Sequence, residues 1–315
     1  MRIRDKIKKP QRPVVAYEIL PPREKDGTLN SYAETISSLL SQTHIDAINI
    51  PEVHDEVGRG DRPVINQKRG EPREFGMLLQ DIVGIEAIIN RVVVHDPYDR
   101  QMKWLEETNT KYEIENMIIV GGESSKVSYP GPTVNEALKA ITDKYNQNGD
   151  NIFCGGIAIP SRKEESKNLI KKSDNGSEFF TTQVLYDSTN IIKMINNYQQ
   201  RCDELDTFPR RILLSFAPVS SQKNVEFLKW LGVEIPDDTE KYLQARPGSM
   251  TERSLDVSIE VLNEILNYIE ENDLRVPVGL NVEHIMSYNF QSSVEMLQEL
   301  ARIYREFCIK AQHYS

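Results

Sequence analysis

Residues 116–160 read NMIIVGGESSKVSYPGPTVNEALKAITDKYNQNGDNIFCGGIAIP, and their pattern decides the fold. Two short apolar runs, 116–121 and 152–159, flank a segment in which Val134, Leu138 and Ile141 return at helical spacing. A stripe of that kind packs a helix against a sheet, and strand, helix and strand in succession make a parallel βαβ unit. Outward in both directions the alternation recurs. Strands are expected at 14–20, 47–51, 90–95, 116–121, 152–159, 179–186, 212–219 and 276–285, with amphipathic segments between them. One of these, EFGMLLQDIVGIEAII at 74–89, reads as a single helix. Eight units fit a closed barrel, whereas the G-x-G-x-x-G turn of a doubly wound dinucleotide fold and the P-loop are both missing from the chain. The expected fold is therefore α/β, a (β/α)8 TIM barrel in one domain over 1–315, with an extra helical segment between strands seven and eight.

That extra segment is the long stretch 234–273, whose second half has strong helical periodicity. A second stretch, 53–73, is charged and rich in Gly and Pro. It follows the second strand, where barrel loops face the active site, and reads as a candidate lid. The RGD triplet inside it is too short to carry a meaning of its own.

With 315 residues and 39% hydrophobic content the chain can bury one large core. A formal charge of −10 and an isoelectric point near 5.2 argue against nucleic acid and anionic membranes as partners, and point to a small molecule. The basic opening MRIRDKIKKP leads into no apolar segment of signal-peptide length, and no run approaches bilayer-spanning length, so a cytoplasmic protein is expected. Cys154, Cys202 and Cys308 are widely spaced and form no CxxC pair, and the five histidines lack ligand spacing, so neither a disulfide framework nor a metal site is expected.

Barrel chemistry sits where strands meet their following loops. In VVAYEILPPRE (14–24), Val14, Ala16 and Glu18 share one face of the first strand, aiming the acid into the barrel mouth. Burial there raises a carboxyl pKa and suits a general acid, and a structural acid paired with a neighbouring base is the alternative. Glu123, Gln183, Asp187 and Glu283 occupy other strand ends. Gly121 and Gly122 either admit a ligand close to the backbone or make a tight turn. The amide of Gln183 suits a heterocycle edge or a buried backbone group. Asn168, Lys171 and Lys172 share a helix face that either holds a phosphate or lies in solvent.

Taken together, three segments resemble the methylenetetrahydrofolate reductase family: YEILPPR from Tyr17, FFTTQVLYD from Phe179 and FAPVSSQKNVEFLKWLGVEIP from Phe216. The resemblance covers nearly the whole chain in the family order. It implies a flavin-dependent barrel of one-carbon metabolism, with FAD as cofactor and a reduced folate as substrate or ligand. It further implies Glu18 as general acid, Gln183 as the amide facing the pterin, and Glu123 in place of an aspartate near both rings. Asn168, Lys171 and Lys172 then hold the flavin phosphates, and Phe227 or Leu228 contacts nicotinamide. Departures cluster on the flavin side: Gly121 stands for an arginine, Pro51 for a threonine and Asn90 for a histidine, while Glu283 replaces a tyrosine in the last strand. Two readings follow. One is a reductase that turns methylenetetrahydrofolate into methyltetrahydrofolate with an electron donor. The other is a flavin-free folate-binding barrel serving as carrier, sensor or complex subunit, in which flavin retention is weak or absent.

Overall fold

A computed structural model describes residues 1–54, 60–122, 127–146 and 152–314 of the chain. Eight parallel strands close into a barrel in sequence order. They are β1 (Val15–Glu18), β2 (Ala47–Pro51), β3 (Ala87–Val92), β4 (Asn116–Val120), β5 (Phe153–Ala158), β6 (Phe179–Val184), β7 (Arg211–Phe216) and β8 (Val278–Glu283). The helices are α1 (Ile3–Ile7), α2 (Leu29–Leu40), α3 (Pro72–Val83), α4 (Tyr98–Thr110), α5 (Val134–Ile141), α6 (Glu165–Asp174), α7 (Thr189–Glu204), α8 (Gln222–Trp230), α9 (Asp237–Gln244), α10 (Met250–Glu271) and α11 (Phe290–Tyr314). The extra segment between strands seven and eight is α9 followed by the long α10. Among the described residues no helix is long and apolar enough to cross a membrane.

The third unit corrects its expected boundaries. β3 begins three residues earlier than expected, and α3 stops at Val83 rather than running to Ile89. Gly84 explains the stop: it takes φ of 70° as the helix C-cap, with its N–H donating to Gln80 O, and a left-handed residue there ends a helix. Asn90 consequently sits inside the strand.

Alternation along the strands sorts the chain into two cores. Val15, Tyr17, Ile48, Ile50, Ile89, Phe180, Leu214 and Val282 face the helices in the main cluster. Val14, Ala16, Ala47, Ile88, Ile118, Phe153, Phe179 and Leu213 fill the lower interior together with Ile3 and Ile7 of α1, which stoppers the end opposite the strand C-termini. Arg211 fastens that stopper. Its guanidinium is almost wholly buried and donates to Ile7 O at 3.1 Å, Lys9 O at 2.6 Å, Pro10 O at 3.2 Å and Val278 O. Lys6 pairs with Asp46, and Arg2 and Arg4 both reach Glu115.

Candidate functional site

Above the apolar layer the barrel interior turns polar. Glu18, Asn49, Thr181, Ser215, Asn281 and Glu283 form a connected floor: Asn49 donates to Glu18 at 2.8 Å, Asn281 donates to Ser215 at 3.0 Å and to Glu283 at 3.1 Å, and the Thr181 and Ser215 hydroxyls lie 3.2 Å apart. Glu18 and Glu283 are direct partners in the β1–β8 register, so two carboxyls stand side by side on neighbouring strands. Among the described residues no cation forms an ion pair with either. Burial pushes Glu18 up to about 7, with hydrogen bonds from Asn281 and Asn90 pulling the other way. Burial and the adjacent Glu18 charge hold Glu283 well above the ordinary carboxyl value. His284, next in sequence, points the opposite way against Tyr17 and Phe290, and burial depresses its imidazole to about 4.

Over this floor opens a cavity of about 540 Å³ at the C-terminal ends of the strands. Gln183 lines it. Its Nε2 donates to Leu231 O at 3.2 Å, which turns one face of the amide to the backbone and leaves its oxygen for a ligand. Phe227 and Leu228 line it too. Phe227 stacks on Trp230 at 5.9 Å, and Arg62 lies 5.2 Å from each ring. Asp187 is elsewhere in its role: its carboxylate accepts from Thr189 N at 3.0 Å and from the Thr189 hydroxyl, which starts α7. Glu123 and part of the 53–73 stretch, residues 55–59, lie outside the described residues. The rest of that stretch packs on the cavity rim, where Arg62, Val64, Asn66 and Arg69 join the lining.

The helix face proposed for a flavin phosphate is engaged from within. Lys172 lines the cavity, yet its ammonium donates to Glu165 Oε1 at 3.1 Å and to Ile157 O at 2.5 Å. Asn168 donates to the other Glu165 oxygen at 2.9 Å, while Lys171 is exposed. The Glu165 side chain is only 1% exposed. A phosphate approaching Lys172 meets a buried carboxylate that already pairs with it, while Lys171 stays exposed beside it. At the strand ends where a flavin ring would lie, a Cβ at Gly122 would come 2.3 Å from the Tyr129 ring, because that ring packs directly on the glycine. The His54 and His95 rings meet at a tilt of 37° with centroids 4.6 Å apart, and His95 meets Tyr129 edge-on at 5.6 Å, so imidazole and phenol rings line this side. Their support is Arg91, which is buried beneath and binds Glu52, Asp96 and Gln101.

Asn49 and Asn281 carry the floor, and sequence reasoning passed over both. The signal was present: each is a polar residue at an inward position of a largely apolar strand, as Glu18 is.

Residues 78–300 match the model of the methylenetetrahydrofolate reductase family. Methylenetetrahydrofolate reductase 1 of Schizosaccharomyces pombe is 24% identical over 176 residues, a match spanning 52% of this chain and 26% of that protein's length. Among solved structures, a protein from Clostridium thermocellum described as binding two copies of 5-methyl-5,6,7,8-tetrahydrofolic acid superposes with a TM-score of 0.76. The two are 22% identical over 96% of this chain and 99% of the other.

Proposed function

The chain belongs to the methylenetetrahydrofolate reductase family, and from that premise we propose that it binds a reduced folate in the barrel mouth without a flavin. One observation carries the reading: the floor pairs two carboxyls in register, one of them near neutrality in its titration, beneath a cavity whose expected flavin face is closed by its own carboxylate. A pterin presents an amide N–H and an exocyclic amine on one edge and basic ring nitrogens on another. An ionised carboxylate accepts from the first and a protonated one donates to the second, so a pair holding one proton between them serves both. The Gln183 oxygen adds an acceptor on the opposite wall. The Clostridium thermocellum protein supports the choice of ligand, since its printed description names a methylated reduced folate.

A reductase is the second reading. The raised Glu18 acid favours it, because a proton donor near neutrality is what opening a methylene bridge requires. Two measurements separate the readings and test the first. Protein purified without added cofactor is expected to be colourless, whereas one flavin retained per chain through dialysis at high salt restores the reductase. Titration calorimetry with 5-methyltetrahydrofolate is expected to show saturable binding that weakens by about 1 to 3 kcal/mol in Gln183→Ala, the cost of leaving a buried partner unpaired. No binding to the wild-type protein rejects the proposal.

A further inference from the structure

We propose that Arg69 is a docking point for the carboxylate at the outer end of the bound ligand, the glutamate of a folate. This deepens the folate reading above and rests on it.

The loop carrying Arg69 is tied down along the rim. Arg23 and Arg69 face each other in an antiparallel bridge, Gly70 N donates to Pro22 O at 2.9 Å, and Arg69 Nη1 donates to Pro21 O at 2.8 Å. The guanidinium is thereby held against the loop that follows β1, on the same cavity as Glu18 and Gln183. Its neighbour Arg23 is already matched: Asp26 grips it with two bonds of 2.8 Å, and Ser287 accepts a third of 2.7 Å. Arg69 differs. Among the described residues no carboxylate lies within ion-pair distance of it, its one hydrogen bond goes to a neutral carbonyl, and its Nε is sealed from water with no partner. Burial and the like charge of Arg23 weaken its hold on its proton, and the opposing pull of Asp26, which is itself bound to Arg23, does not make up for them.

A half-buried guanidinium without a counter-ion is costly, and a planar fork of donors is shaped for a carboxylate. The placement suits the ligand. Pro21 follows Glu18 by three residues, and three extended residues reach at most about 11 Å. The acid at the floor and the guanidinium at the rim line one cavity, as the reactive nitrogens and the glutamate carboxylates lie at opposite ends of a folate.

The test compares 5-methyltetrahydrofolate with 5-methyltetrahydropteroate as its neutral methylamide (below, the pteroate), the same compound without glutamate or any carboxylate, on the full chain by calorimetry. Wild-type protein should prefer the folate. Arg69→Gln should weaken the folate by roughly 10- to 100-fold, the worth of one charged hydrogen bond, and leave the pteroate unchanged. Arg69→Lys, which keeps the charge without the fork, should fall between. Unchanged pteroate affinity also reports that the variant is folded. A second measurement needs no variant: added salt should weaken the folate and spare the pteroate. Equal salt response of the two ligands, or a loss in Arg69→Gln shared by both, overturns the assignment. Wild-type protein that binds both ligands equally overturns it alone, and wild-type protein that binds neither overturns the folate reading as well.

Discussion

Placing two carboxyls on adjacent strands makes the second ionisation costly, since the charges share a buried floor where, among the described residues, no cation pairs with either. The groups facing them are amides and hydroxyls from β2, β3, β7 and β8, with His284 held neutral behind β8 and Arg23 and Arg69 at the rim. Both acids thus bind protons more tightly in the folded chain than in the unfolded one. Their contribution to stability is fully present below the ordinary carboxyl value and is lost as pH rises through the folded values, Glu18 from 4.5 to about 7. Thermal unfolding of the ligand-free protein should therefore show stability falling between about pH 5 and pH 8, by on the order of 3 kcal/mol. Glu283→Gln removes the second charge and should flatten that slope. Equal slopes in variant and wild type would show that Glu283 adds nothing to the pH dependence over this range. Ligand binding should respond to the same pair, since a pterin that takes the proton or shares it relieves the repulsion.

At the scale of elements, what the sequence revealed depended on how many signals agreed. β2 coincides with its expected span because Ala47 to Pro51 is bounded on both sides, and the α5 region followed from Val134, Leu138 and Ile141, to which the structure adds a capping box at Thr133 and Glu136. The third unit was misplaced because Ile88 and Ile89 continue an apolar run that suits helix or strand alike, and only Gly84 separates them. Gly84→Ala should destabilise by about 1 kcal/mol, because the left-handed φ strains an alanine although a Cβ there meets nothing within 4 Å. No change in the unfolding midpoint would mean the helix end had shifted to accommodate it. Glu18 was legible from its strand face alone. The closure of the Lys172 face was not, because Glu165 reads as one more surface acid until the fold turns it inward to 1% exposure. Arg69 was hidden for a related reason: a loop side chain acquires meaning only from what the rim brings beside it.

For the molecule as a whole, the fastening of the stopper is the feature that engages widely separated parts of the chain. Arg211 gathers carbonyls from Ile7, Lys9 and Pro10 as well as Val278, and lies 3.4 Å from the Tyr304 hydroxyl. Arg211→Met leaves those carbonyls without donors in a buried setting, and chemical denaturation should show a loss of about 3 kcal/mol or more. A loss below about 1 kcal/mol would mean that water replaces the guanidinium. The same fastening fixes an order of events on the ribosome. The partners of α1 are spread along the chain after it, from Asp46 and Glu86 to Arg211 and Leu213 of β7, so α1 cannot be fully seated until β7 has been made. Until β7 is in place Ile3 and Ile7 lack part of the apolar layer they bury against, and their full burial should be a late step of folding. Pulse-labelled hydrogen exchange during refolding should then find the α1 amides protected after those of β2 to β7.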